Sequence, residues 1–138
     1  MYLNESTNLF VEIATKQKLK YEIKNDVNIE VLVELGKQPN LKFNILLCLQ
    51  NNDELWFYIE NLYFCIFPFE EVKNEFSSAV NGFISGNYRI LKSYQYNLNY
   101  PFRWSLQEYK NNEWKNVLTT NKFLKIPFLP VKYEILQN

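Results

Sequence analysis

Two pairs of adjacent carboxylates, Asp53-Glu54 and Glu70-Glu71, are the residues of this chain best suited to sharing out acid and base roles. In glycoside hydrolysis one such acid protonates the leaving oxygen while the other serves as base or nucleophile. Their setting argues against that use. Asp53-Glu54 sits in a turn and Glu70-Glu71 in the first turn of a helix, where carboxylates are solvated and compensate the helix dipole. The chain has no histidine, which removes the commonest general base, the Ser-His and Cys-His nucleophile arrangements and zinc sites built on imidazole. Gly36, Gly82 and Gly86 are the only glycines, so no glycine-rich phosphate loop can be written. Cys48 and Cys65 stand in apolar strand-like runs without CxxC spacing, the pattern of buried thiols rather than of a metal pair or a disulfide. No catalytic residue, metal ligand or cofactor is expected, and a binding protein is favoured over an enzyme.

Recognition by charge is the chemistry that remains. The formal net charge is zero, but residues 1–75 hold twelve acids and seven lysines, whereas residues 76–138 hold eight bases and three acids. The densest acidic window runs from Asp53 to Glu75, with Asp53, Glu54, Glu60, Glu70, Glu71 and Glu75 against Lys73. If the turn at 60–61 and the outer face of the following helix share one side, these acids form a patch with Trp56 and Tyr58 beside it. Such a patch suits a basic protein partner, because acids steer the encounter and aromatic side chains anchor it. The alternative is a single-stranded nucleic-acid face. Tyr94, Tyr96, Tyr100, Phe102 and Trp104 share one parity, and Arg89, Lys92 and Arg103 lie close by; bases stack on aromatics while cations track the phosphates. Tyr109 and Trp114 flank a turn as a hairpin pair.

The elements that must position these residues follow from hydrophobic period. Leu9, Phe10, Ile13 and Ala14 fall at helical spacing within residues 7–18, although Leu9, Val11 and Ile13 also alternate; a short helix is the reading taken. Residues 19–35 alternate about an Asn25-Asp26 turn as a β-hairpin, and Leu41 to Leu49 form the next one-sided row. Strands 54–59 and 62–67 follow, the second apolar on both faces and expected to be central. After Pro68 the period changes. Phe69, Val72, Phe76, Ala79, Val80, Phe83 and Ile84 line one face of a long helix that stops at Gly86-Asn87. Strands are then expected near 88–96, 102–109, 114–119 and 131–136, with a short piece at 123–126. The fold class is α+β: antiparallel strands in two sets, four or five before and four after one long amphipathic helix near 69–86, in a single domain spanning 1–138.

No apolar run approaches the roughly 20 residues of a membrane span, and the polar start carries no basic leader, so a cytoplasmic address without membrane contact is expected. The order of strands, Pro68-Phe69-Glu70-Glu71, a helix ending Phe83-Ile84-Ser85-Gly86, then Tyr88-Arg89-Ile90 and further strands resembles the small immunity proteins of bacterial contact-dependent and polymorphic toxin systems. Some of those are similar to the Whirly fold of two antiparallel sheets with intervening helices. The resemblance covers most of the chain in architecture and rests on no diagnostic motif. It implies a non-catalytic protein that binds and blocks a cognate toxin domain, often a basic nuclease. An exposed face and a homo-oligomer interface read alike in this sequence.

Overall fold

Period changes in the sequence become element boundaries in the computed structural model, which describes residues 2–95 and 99–138. Helix α1 covers Leu3–Lys16, with Glu5 in its first turn and Lys16 in its last, each favourable to the helix dipole. Its helical spacing prevails over the alternation because Phe10, Ile13 and Ala14 all reach the core. Five strands follow as an antiparallel meander: β1 (Glu22–Asp26), β2 (Ile29–Leu35), β3 (Ile45–Gln50), β4 (Glu54–Ile59) and β5 (Leu62–Ile66). Helix α2 covers Phe69–Ser85 and ends on Gly86 at φ 85°, a left-handed exit that glycine adopts without a Cβ clash. Strands β6 (Tyr88–Gln95), β7 (Arg103–Lys110), β8 (Glu113–Asn121) and β9 (Val131–Leu136) build a second antiparallel sheet in the order β8-β7-β6-β9. The chain is therefore α+β, with antiparallel strands in two sets.

Both helices pack on one face of the five-stranded sheet. Val33, Leu47, Leu55, Phe57 and Phe64 turn inward toward Phe10, Phe76, Val80 and Phe83, with Phe57 edge-on to Phe76 at 5.6 Å. Ile90, Trp104 and Leu106 of the second sheet join the same buried cluster. A Cβ at Gly82 would lie 2.6 Å from the Tyr88 ring, so α2 and the start of β6 approach closely only because that residue is glycine. Paired asparagines turn two of the hairpins: Asn51 and Asn52, then Asn111 and Asn112, all have positive φ. The side chain of Asn138 holds the backbone of Asn40, Lys42 and Ile84 together, and Gln137 donates to Gly86 O at 2.7 Å.

The first hairpin turns at Val27-Asn28 rather than at Asn25-Asp26, both of which belong to β1, and two larger expectations also fail. Strand β5 is an edge of its sheet, not a central strand. Its apolar character on both faces reflects the second sheet, because β8 lies against it. A two-residue turn makes Ile59 and Leu62 the hydrogen-bonded pair, so the N–H and C=O of Tyr63 point away from β4. The Tyr63 carbonyl accepts from Trp104 Nε1 and Thr120 Oγ1, each at 2.8 Å. The second failure is the short strand at 123–126. That segment forms no ladder; instead Gln95 grips the backbone of Ile126 at both N–H (2.7 Å) and C=O (2.9 Å). Removing one donor to Tyr63 leaves its carbonyl the other, whereas removing both leaves it none. Trp104→Phe and Thr120→Val are therefore expected to couple, with the double variant losing about 1 kcal/mol more than the sum of the singles in a urea-denaturation cycle. Strict additivity would contradict the shared role.

Candidate functional site

The expected acidic patch does not assemble as one surface. Glu54, Trp56 and Tyr58 alternate with the inward residues Leu55, Phe57 and Ile59, so they point to the face of the sheet that no helix covers. Glu70, Glu71 and Glu75 are exposed on α2, which lies on the other side of that sheet. Glu70 is already paired with Lys73 at 2.9 Å. Asp53 and Glu60 stand at opposite ends of β4, and Glu60 pairs with Lys37 at 3.5 Å while accepting from Asn44 N. One strand and one helix adjacent in sequence were read as one side. The two-residue periodicity of β4 puts its aromatic residues on the reverse.

What does assemble is an aromatic cluster framed by carboxylates. Cross-strand register sets Leu46, Tyr58 and Tyr63 in one row and Leu32, Cys48, Trp56 and Cys65 in the next. Trp56 stacks on Tyr58 at 6.0 Å and meets Tyr63 at 5.6 Å. Tyr63 in turn stands edge-on to the buried Trp104 at 5.3 Å, tying the cluster to the joint between the sheets. Glu54 accepts from the Trp56 indole and from Asn51 Nδ2, both at 2.9 Å, which fixes the orientation of the ring. The same parity aims Glu22, Glu30 and Glu34 outward along β1 and β2. Lys24, on the same face, is bound to Glu34 at 2.9 Å. Leu32, Leu46 and Tyr63 were not among the residues expected to form a surface. Alternation within 29–35, 45–50 and 62–66 was the available signal, but assigning its outward half to one face required the strand order.

The aromatic row of the alternative reading is also divided. Phe102 and Trp104 are 3% and 2% exposed, so neither offers a face to a base. Tyr100 is exposed beside Phe123, and Tyr96 lies outside the described residues. Lys92 and Tyr94 share the inner side of the second sheet with Trp104, where Lys92 bridges to Glu134 at 3.1 Å. Arg89 and Arg103 have the opposite parity and point outward. Of that row, Trp104 is turned into the shared core. Tyr109 and Trp114 do face each other across their hairpin, at 5.1 Å.

Among the described residues no group of three or more Cys, Asp or Glu could hold a metal ion. The surface depressions of about 240 and 270 Å³, one lined by Glu22, Glu34 and Lys37 and the other by Glu5, Glu12 and Lys73, are open to solvent. Both cysteines are free thiols, Cys48 buried and Cys65 half-buried. Burial pushes each thiol up to about 12, aided by the charge of Asp26 at Cys48 and of Glu54 at Cys65. No protein-family model, curated protein or solved structure matches the chain.

A thiol held above its ordinary value near 9 keeps its proton in the folded state while the unfolded chain releases it. Stability is therefore expected to fall as pH rises from about 9 toward 12. Double substitution of Cys48 and Cys65 by Ala should flatten that part of the profile, measured by guanidinium midpoints at each pH. An unchanged slope would show that other groups dominate.

Proposed function

We propose that this chain is a non-catalytic binding protein that uses the outer face of its five-stranded sheet to hold a basic protein domain. The single observation that carries this reading is the half-buried cluster of Trp56, Tyr58 and Tyr63 on a sheet face that no helix covers, whose outward charges are Glu22, Glu30, Glu34 and Glu54 against Lys24. Large aromatic side chains supply most of the burial at a binding hot spot, and carboxylates around them steer a cationic partner and disfavour an acidic one. The hydrogen bond from Trp56 to Glu54 holds the main anchor in place before binding, which lowers the entropic cost of ordering it. The resemblance to immunity proteins makes the partner a cognate toxin domain of the basic nuclease type, blocked by occlusion rather than by chemistry.

The reading is tested by co-purification with, and affinity for, a basic nuclease-type toxin domain, taken from the gene neighbouring that of this chain where that gene encodes one. Trp56→Ala combined with Glu30→Lys and Glu34→Lys should weaken binding at least about tenfold and slow association. Charge reversal of Glu70, Glu71 and Glu75 on the opposite side should change affinity by less than about twofold. The reverse pattern would move the binding surface to the helix and overturn the assignment to the sheet.

A further inference from the structure

Charge on the second sheet is sorted by strand parity. Glu108 and Glu134 lie in the inward rows with Ile90, Lys92 and Trp104, and Glu113 is paired with Lys115 at 3.4 Å. The outward rows of β6 and β7 hold Arg89, Leu91, Ser93 and Gln95 with Arg103, Ser105, Gln107 and Tyr109, and no carboxylate among them. β9 adds Tyr133 and Ile135 to the same side, and β8 adds Trp114, Asn116 and Thr119.

This face is built rather than merely solvated. Ser93, Gln95, Ser105 and Gln107 are all at most 7% exposed, and among the described residues they make up the buried polar residues apart from Ser6. Ser105 and Thr119 share a hydrogen bond of 2.8 Å, and Gln107 donates to Asn116 at 2.9 Å. Arg89 donates Nε to Gln107 at 2.9 Å, and its guanidinium lies 4.2 Å over the Trp114 ring. Trp114 packs in turn on Tyr109, so guanidinium, indole and phenol form a ladder. The Arg103 guanidinium lies 5.3 Å over Phe102. Neither arginine has a carboxylate partner among the described residues. Both guanidinium groups are held in place with donors left over, an arrangement suited to phosphate oxygens.

Spacing identifies the class of anion. Arg89 lies opposite Gln107 and Arg103 opposite Ser93, which sets the two arginines about 13 Å apart along the sheet, too far for one phosphate and right for a chain of them. Between them are the apolar Leu91 and Ile135, and beside them the exposed phenols of Tyr109 and Tyr133. Beyond Arg103 the chain leaves β8 through Lys122 and Lys125, a path pinned by Gln95 on Ile126. Aromatics alternating with cations on the exposed part of a sheet accept unpaired bases and their backbone. We infer that the outer face of the β8-β7-β6-β9 sheet binds single-stranded nucleic acid, with Arg89 and Arg103 on phosphates and Tyr109, Trp114 and Tyr133 as stacking surfaces. This site lies on a different sheet from the proposed protein-binding face and stands independently of it.

Fluorescence anisotropy of a labelled 15-nucleotide oligo-dT with the full-length protein tests the inference. Binding is expected at low salt and should weaken as salt rises. Arg89→Ala with Arg103→Ala should weaken it at least about tenfold and reduce the log-log salt slope by about 1.4, the share of two single-strand phosphates. Arg89→Lys with Arg103→Lys keeps the charge and should retain most of that slope, which separates lost contacts from lost folding. Tyr109→Ala and Tyr133→Ala, at exposed positions, should each weaken binding without altering the slope. No anisotropy change at low salt, or equal binding by the double alanine variant, would overturn the site. Binding to vesicles of anionic phosphatidylglycerol without any binding of the oligonucleotide would overturn it in favour of a membrane surface.

Discussion

An edge strand leaves every second carbonyl without a ladder partner; in β5 these are the carbonyls of Tyr63 and Cys65, and the one at the joint with the second sheet is that of Tyr63. Two side chains from the second sheet, Trp104 and Thr120, satisfy it, and they are themselves cross-strand neighbours on β7 and β8. Because the joint is made by side chains rather than by a further strand, the two sheets remain separate instead of merging into one barrel. Trp104 is the largest fully buried side chain at that joint, so burial of apolar area and satisfaction of a polar group coincide at one residue. Both sheets then turn one face into the shared core with α2; no helix packs on the other, although Gln95 holds the segment at Ile126 against one end of the second sheet's outer face.

Those two outer faces differ in sign. On the first sheet outward parity selects Glu22, Glu30, Glu34 and Glu54; on the second it selects Arg89 and Arg103 and sends Glu108 and Glu134 inward. The near-zero net charge is thus a cancellation between surfaces, not only between halves of the chain. Each face also carries aromatics fixed by a polar contact: Trp56 through Glu54, and Trp114 under the Arg89 guanidinium. The proposed binding roles rest on these fixed aromatics and on the charge of each face.

Much of the fold was legible in sequence because it depends on local period. The α2 face from Phe69 to Ile84, the stop at Gly86, the turns at Asn51-Asn52 and Asn111-Asn112 and β9 at 131–136 appear where alternation or helical spacing put them, whereas the turn expected at Asn25-Asp26 falls at Val27-Asn28. The surfaces were less legible. Whether Trp56 and Glu71 face the same way depends on how a helix folds back over its sheet, and nothing in the spacing from Asp53 to Glu75 encodes that. The strand 62–66 looked central because burial on both faces is the same signal whether the cover is a third layer or a second sheet meeting an edge. Likewise Phe102 and Trp104 had the composition of a stacking row, but both are buried, Trp104 at the joint beneath Tyr63. Arg89 and Arg103 were legible as bases near aromatics; their isolation from carboxylates became visible only once register divided the second sheet by face.

Opposite charge on the two outer faces is the claim on which both functional readings rest, and the three tryptophans report on it directly. Trp56 stands on the acidic face, Trp114 on the basic face and Trp104 between the sheets. The measurement is NMR relaxation of the three indole N–H signals in the presence of cationic and anionic paramagnetic co-solutes. The cationic probe should broaden Trp56 preferentially and the anionic probe Trp114, with Trp104 protected from both. Equal broadening of Trp56 and Trp114 by each probe would contradict the segregation of charge by face.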